Sequence, residues 1–468
     1  MATVRIFNHH MHSSFYWLLM VDAILFVLAF YAGTYLYFLQ DPGGFQDYLG
    51  QIPARATLFA AVTVLCLAAM GLYEPRMREG ASGVLLRTAG GFVAATLVMT
   101  AIFYLLPELH LWRGIYFYTA VTAFTVNLIS RSAFTALTHR EEFKSRVLVY
   151  GSGQAASTIT SAMRRRADRQ GFTIVGFVRV GGEETKIKNE RIINLRQSLA
   201  EYTSQTEIDQ VVIALDDKRD SLPMEELFNC RLNGVDVHDL VNFFEREAGK
   251  ILVDFATPGW MAFTDGFKCS PASKMAKRWF DIVASFTLLM FSWPIMLLAA
   301  IAIWLEDGPG APVFFRQNRV GLSGKTFEVL KFRSMSVDAE GDGKARWATQ
   351  NDSRVTRVGN FIRRTRIDEL PQILNVLAGD MAFIGPRPER PEFVKELAER
   401  IPYYNARHCV KPGITGWAQL CYPYGSSEND ARQKLQFDLY YVKNHSLFLD
   451  FMICLTTVEV VLFGKGAR

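Results

Sequence analysis

Five long apolar runs interrupt this chain, and a sequence that carries them must place each one inside a bilayer or inside a protein core. Four lie early, at residues 15–39, 56–73, 84–106 and 114–137, and a fifth covers 279–305. Each approaches the roughly 20 apolar residues that a helix needs to cross a membrane. Half of the chain (50%) is hydrophobic, above the usual share for a soluble protein. With 468 residues, the chain also exceeds what one core ordinarily serves, so two or three units are expected.

The flanks of the first four runs set their direction. Between the first two lie Asp41 and Asp47, with Arg55 the one cation. Between the second and third come Arg76, Arg78 and Arg87, and after the fourth Arg131, Arg140, Lys144 and Arg146. Cations stay with the cytoplasmic loops, so both ends of this bundle are expected in the cytoplasm. Arg5 and several histidines precede the first run, with no small-residue cleavage site, which reads as an uncleaved anchor. Asp22 inside the first run is either part of a polar pathway or an interfacial or interhelical hydrogen-bonding group.

The net charge of +5 is mild and makes no demand for nucleic acid. The six cysteines (Cys66, Cys230, Cys269, Cys409, Cys421 and Cys454) have neither CxxC nor Cys/His spacing, which argues for reduced thiols over a zinc site or a disulfide framework.

After Arg146 the pattern turns α/β. A β-branched run at 146–150 leads into Gly151-Ser152-Gly153-Gln154-Ala155-Ala156 and a helical stretch, and further strands are expected at 172–179 and 210–215. The GxGxxA spelling matches a dinucleotide-binding turn, whose glycines let a pyrophosphate approach a helix N-terminus. The second strand ends near Arg179 and not at an acidic residue that could hold a ribose, so a tight turn in a packing or regulatory domain is the competing reading.

Lys274, Lys277 and Arg278 precede the fifth run, and its middle reads Phe291-Ser292-Trp293-Pro294. Proline removes a backbone donor and collides with the preceding turn, while serine can satisfy a freed carbonyl. The run is therefore either a kinked crossing or a helix that enters, breaks at Ser292/Pro294 and returns. A crossing would put a tail rich in Lys, Arg, Asp and Glu outside the cell.

Four clusters follow. The first joins Phe314–Gly321 to Lys325-Thr326-Phe327-Glu328-Val329-Leu330-Lys331-Phe332-Arg333-Ser334-Met335, where a strand would put Lys331 and Arg333 on one face. Those cations suit phosphate, or form a solvated face. The second is Arg363-Arg364-Thr365-Arg366-Ile367-Asp368-Glu369-Leu370-Pro371-Gln372. Pro371 suits a first helical turn, so Asp368 and Glu369 are expected at a helix N-terminus among arginines. That setting should lower their pKa values and keep Asp368 ionised, ready to attack phosphorus or hold Mg²⁺; an N-capping aspartate is the alternative. The third, Gly385-Pro386-Arg387-Pro388, presents Arg387 between two rigid residues. The fourth, Lys411-Pro412-Gly413-Ile414-Thr415-Gly416-Trp417-Ala418-Gln419, reads as a turn with a buried tryptophan.

In this order, over residues 274–463, the clusters resemble the bacterial sugar transferases known as monotopic polyprenyl-phosphate phosphoglycosyl transferases. The preceding helices and α/β stretch are similar to the large subclass that starts exopolysaccharide or O-antigen units, and the N-terminal stretch also resembles transferases of PEP-CTERM exosortase loci. The resemblance implies a membrane protein made of a four-helix transmembrane bundle (1–140), a Rossmann-like α/β domain (145–265) and a re-entrant-helix α/β catalytic domain (270–468, with the membrane helix at 279–305). It implies that Asp368 attacks the sugar-bearing phosphate of a UDP-sugar, releases UMP and passes the sugar phosphate to undecaprenyl phosphate. Glu369 would assist in metal binding or proton handling, Mg²⁺ would offset diphosphate charge at Asp368 and Glu369, and Lys331, Arg333, Arg363 and Arg387 would bind phosphate. The implied partners are the UDP-sugar, undecaprenyl phosphate and the lipid bilayer, with no nucleic acid and with a homodimer left open. The implied place is the bacterial inner membrane, multi-pass, with the active site facing the cytoplasm.

The 338–344 stretch reads as a mobile loop near the site, and the apolar 447–463 segment, with Asp450 and Glu459, as an interfacial helix. A membrane-anchored nucleotide-sugar dehydratase is the rival enzyme, but no tyrosine has a lysine four residues later. A non-enzymatic membrane scaffold or sensor is the other alternative.

Overall fold

The computed structural model describes residues 3–6, 9–39, 45, 48, 50, 52–73, 81–138, 144–163, 169, 171–181, 184–187, 191–217, 222–267, 270–308, 310–336, 354–423, 425 and 427–463. Asp41, Asp47, Arg76, Arg78, Arg140, Cys269 and the 338–344 stretch lie outside these residues. The chain divides into two compact units, Met1–Ile6 with His10–Ala248 and Phe7–His9 with Gly249–Arg468.

The first unit opens with helices α1 (Ser13–Tyr37), α2 (Ile52–Ala69), α3 (Ala81–Leu105) and α4 (Arg113–Thr138). Segments of the first three, Tyr16–Tyr37, Ile52–Ala69 and Gly83–Leu105, are long and apolar enough to cross a membrane, as is Pro271–Asp307 in the second unit. Helix α4, expected as the fourth early crossing, is long enough but is not among these candidates. Three of its polar residues, Thr119, Asn127 and Arg131, are buried, while Arg113, Thr125 and Ser132 are exposed. Gly33 of α1 makes that packing close, since a Cβ there would lie 2.5 Å from Thr119 Cα.

Asp22 has a structural partner set. It is fully buried, lies 3.3 Å from Arg131, and accepts from Tyr73 Oη at 2.9 Å and Ser130 Oγ at 3.0 Å. Arg131 also donates to Leu72 O. These bonds join α1, α4 and the turn after α2, the interhelical alternative for Asp22.

The rest of this unit holds five parallel strands: β1 (Ser145–Tyr150), β2 (Phe172–Val178), β3 (Ile192–Ile193), β4 (Gln210–Ile213) and β5 (Asp236–Asp239), in spatial order 3-2-1-4-5. Val147, Leu148 and Val149 of the central strand are fully buried, as a parallel sheet covered on both faces requires. Gly151 (φ +130°) turns the chain into α5 (Gln154–Ala162), where a Cβ would fall 2.2 Å from Ala214 O. At the start of α5, the Asp216 carboxylate accepts from Gln154 N at 2.8 Å and Ala155 N at 2.7 Å.

The boundary between the two units falls at 248/249. Residues after Gly249 bond within the second unit: Trp417 Nε1 donates to Gly249 O at 2.8 Å, Ile251 N to Gln436 O at 3.0 Å, and Tyr403 Oη to Ala256 O at 3.2 Å.

The second unit is organised on α6 (Pro271–Asp307), a 37-residue helix. Ser270 caps it through Ser273 N, Pro271 opens it, and Gly308 (φ +83°) ends it. The helix continues through Ser292 and Pro294, so the expected break is not an interruption of helical structure. An antiparallel hairpin follows, β6 (Phe314–Val320) and β7 (Thr326–Phe332), and then α7 (Arg357–Arg364), a 3-10 turn (Ile367–Glu369) and α8 (Gln372–Ala378). Strands β8 (Ala382–Ile384) and β9 (Gly413–Thr415) pair in parallel, and α9 (Glu428–Asn444) and α10 (Leu447–Phe463) close the unit.

Both ends of α6 bind this unit. Lys277 Nζ donates to Ile384 O at 3.0 Å and pairs with Asp450 at 2.9 Å; Arg278 donates to the Val376 and Leu377 carbonyls at 2.6 and 2.8 Å; and Asp281 accepts from Phe383 N at 3.0 Å. At the other end Ala299 and Ile303 pack with Phe332 and Ile362, and Glu306 accepts from Arg357 N at 2.9 Å and Val358 N at 3.0 Å. Between them Val283, Phe286, Met290, Phe291, Trp293 and Leu298 are exposed.

Candidate active site

The site grows from the turn between α7 and α8. Thr356 Oγ1 accepts from Gly359 N at 2.9 Å to start α7, and Arg366, in the left-handed region (φ +60°), stops it and swings the chain into Ile367–Glu369. Arg278 donates to the last carbonyls of α8, where cations are favoured. Asn375 stitches α8 to β7, donating to Glu328 O at 2.8 Å and accepting from Leu330 N at 2.9 Å. These bonds place Lys331, next along β7, beside the acidic pair.

Asp368 and Glu369 are both buried. Glu369 Oε1 accepts from Arg387 at 2.7 Å and from Lys331 Nζ at 3.1 Å, and Arg366 lies 3.8 Å from Oε2. Asp368 Oδ1 is buried with no hydrogen-bond partner among the described residues. Burial, and then the Glu369 charge, push the Asp368 carboxyl up to about 6, against the pull of Lys331, Arg387 and Arg363. Burial alone would raise Glu369 too, but Arg387 and Lys331 hold it well below the usual carboxylate range. Burial lowers the Lys331 ammonium, with Glu369 opposing. The expectation of a lowered Asp368 is corrected: burial and the Glu369 charge outweigh the pull of these cations, whereas the expected lowering holds for Glu369.

Arg387 sits on a braced segment. Gly385 N donates to Thr415 O at 2.9 Å, and Cβ atoms on Gly385 or Gly413 would lie 2.3 Å from Lys411 O and 2.1 Å from Gly385 N, so the two glycine-containing runs touch backbone to backbone. This accounts for the PGITG run as a pad under GPRP.

Of the six site residues read from sequence, Asp368, Glu369, Lys331 and Arg387 meet, and Arg363 is half-buried and acts on Asp368 through its charge. Arg333 does not share the partner of Lys331. The strand ends at Phe332, Arg333 N donates to Val313 O at 2.9 Å, and its guanidinium lies 3.8 Å from Asp307. Reading along the sequence missed Arg366, which stood inside the quoted arginine run and lies 3.8 Å from Glu369.

The model of the family described as bacterial sugar transferase matches residues 272–464, the region that carries this site. A UDP-glucose:undecaprenyl-phosphate glucose-1-phosphate transferase of Xanthomonas campestris pv. campestris is 31% identical over 443 residues, 90% of this chain and 90% of its own. The chain belongs to the bacterial sugar transferases. Within this family, an Aeromonas hydrophila UDP-N-acetylgalactosamine-undecaprenyl-phosphate N-acetylgalactosaminephosphotransferase is 43% identical over 242 residues, 52% of this chain and 56% of its own length. A UDP-glucose:undecaprenyl-phosphate glucose-1-phosphate transferase of Caulobacter vibrioides is 44% identical over 198 residues, 42% of this chain and 73% of its own. Family membership sets aside the dehydratase and scaffold readings.

Proposed function

We propose that this sugar transferase moves a hexose 1-phosphate from a UDP-sugar to undecaprenyl phosphate, giving undecaprenyl-diphosphate sugar and UMP, the first membrane step of an exopolysaccharide or O-antigen. The observation that carries it is the division of labour in the acidic pair. Glu369 is clamped by two cations, while Asp368 keeps a buried oxygen beside them that has no partner among the described residues.

In the first half-reaction the Asp368 carboxylate attacks the phosphorus that bears the sugar. The bond from that phosphorus to the bridging oxygen breaks, and UMP leaves with both electrons. In the second, an oxygen of the polyprenyl phosphate attacks the same phosphorus and releases the Asp368 carboxylate. Lys331, Arg387 and Arg363 lie around the acidic pair, which supports reading them as the cations that meet phosphate oxygens, with Arg333 serving from the Asp307 side. The donor set suits Mg²⁺, which takes one or two carboxylates and substrate phosphates: Asp368 offers the open oxygen, with Glu369 as a second carboxylate. When bound, the ion would offset diphosphate charge.

The helix α6 is read as re-entrant, bent at Ser292 and Pro294. A straight helix would hold Arg278 and Ala299 about 32 Å apart. Arg278 binds Val376 O, and Ala299 belongs to the cluster that Ile367 joins, only nine positions away in a helical stretch. The exposed apolar middle of the helix suits lipid, and the active site would then face the cytoplasm at the inner membrane. The strand order 3-2-1-4-5 supports a Rossmann-like middle domain.

The test is UMP release from membranes supplied with undecaprenyl phosphate and a panel of UDP-sugars, including UDP-glucose, UDP-galactose and UDP-N-acetylgalactosamine. Turnover with one of them, abolished by Asp368→Asn, is expected; turnover with none would refute the reading.

A further inference from the structure

The segment that presents Arg387 is held by its carbonyls, since Pro386 and Pro388 have no N–H to anchor. Pro386 O accepts from Gly413 N at 3.0 Å, Arg387 O from Arg407 at 2.9 Å, Pro388 O from Arg319 at 3.2 Å, and Glu389 O from Val320 N at 2.9 Å. Arg407 stands out among these donors. Its guanidinium is buried, lies 2.8 Å from Asp438 on α9, and donates to Tyr404 Oη at 2.8 Å. A buried ion pair is poor support for stability, because an apolar pair of similar volume often does as well; its use lies in fixed geometry.

We propose that the Arg407–Asp438 pair is a positioning device for Arg387: by clamping the Arg387 carbonyl it fixes the Arg387 guanidinium on Glu369. The chain of contacts runs Asp438, Arg407, the Arg387 main chain, the Arg387 side chain and Glu369, with the two prolines restricting the backbone in the middle link. Tyr404, Glu389, Lys434 and His408 are the other titratable groups around the pair. Burial pushes the Asp438 carboxyl up to about 6 against the pull of Arg407, and burial, then Arg407, lower His408 to about 4, leaving it neutral. Burial would lower the Arg407 guanidinium, but Tyr404, Asp438 and Glu389 outweigh it and hold the group above its ordinary value. With the clamp gone, Arg387 withdraws from the acidic pair.

The activity readout rests on the reading of Asp368 as nucleophile, so Asp368→Asn is assayed alongside. The full chain is purified in detergent, and three forms are compared for thermal melting and for the kcat and KM of UMP release: wild type, Arg407→Leu with Asp438→Leu, and Tyr404→Phe. The paired leucine variant removes both charges together and is expected to melt like wild type. Its kcat should fall about 10- to 100-fold, with a smaller change in KM. Tyr404→Phe, which deletes one bond to Arg407, should lower kcat by less, again with a smaller change in KM, and it decides the matter if the leucine pair does not fold. A folded leucine pair at the wild-type rate, or one that raises KM as much as it lowers kcat, overturns the proposal. Full activity in Asp368→Asn would instead sink the nucleophile assignment, leaving the clamp to be judged on the kcat of the leucine pair.

Discussion

Asp368 and Glu369 are adjacent and equally buried, yet they divide the surrounding cations unequally. Glu369 takes Arg387 at 2.7 Å and Lys331 at 3.1 Å, while Asp368 Oδ1 accepts no hydrogen bond among the described residues. One carboxylate is locked as an anion, and its charge raises the proton affinity of the other. Such a pair separates a fixed structural charge from a reactive one.

The first consequence concerns stability against pH. The Asp368 carboxyl sits at about 6 when folded, against an ordinary value of 3.8. Between those two values the folded chain keeps a proton that the unfolded chain has lost, so stability falls as pH rises through this window. Above it the cost of the ionised, buried group is on the order of 2–3 kcal/mol. Asp368→Asn should therefore raise the melting temperature of the Gly249–Arg468 unit at pH 7.5 and change it little at pH 4. Equal melting shifts at both pH values would show that the carboxyl is not perturbed as described.

A second prediction separates the two cations on Glu369. Arg387 is the nearer and has the larger effect on the Glu369 carboxyl. Arg387→Met should lower the rate of UMP release about 100-fold, and Lys331→Met by less, as for the loss of one preorganised charge. The reverse order, measured on equal amounts of folded protein, would contradict the geometry.

Much of this site was legible before any coordinates. Lys331, Asp368, Glu369 and Arg387 lie within short runs whose local rules are readable: a strand, a proline-started turn and a rigid Pro-Arg-Pro. The runs could not say which carboxylate the cations would choose, because that depends on where Leu330 and Asn375 dock β7 against α8. Arg333 was placed with Lys331 by strand periodicity, but the strand stops one residue short of it. Helix α4 was read as a crossing from its length, and hydropathy alone did not show that Asn127 and Arg131 turn inward. Lys277 was read as a flanking charge; its partner, Asp450, is far along the chain.

A third prediction addresses the glycine-rich turn after β1. The backbone N–H groups of Gln154 and Ala155, which a pyrophosphate would need, already hold Asp216. A second carboxylate-like anion would meet that charge at once. Titration of the protein with NADH should leave its fluorescence unchanged, and Asp216→Ala should cost about 1 kcal/mol, as for a lost helix cap. Tight NADH binding by the wild type would show that Asp216 moves aside.

The last prediction tests the charge buried among the first helices. Asp22 and Arg131 lie 3.3 Å apart, with side chains 0% and 7% exposed, and Tyr73 and Ser130 donate to the same carboxylate. Breaking such a pair from one side leaves a charge with neither water nor a countercharge, at a cost of about 3–5 kcal/mol; removing both sides can be neutral. Arg131→Leu should therefore reduce the yield and melting temperature of the detergent-solubilised protein sharply, and Asp22→Leu with Arg131→Leu should restore most of both. The residues around Asp368 belong to the other unit, so UMP release per folded molecule should change little in the double variant. If the double variant instead folds well but turns over slowly, Asp22 serves the reaction as well as the fold, and the polar-pathway reading returns.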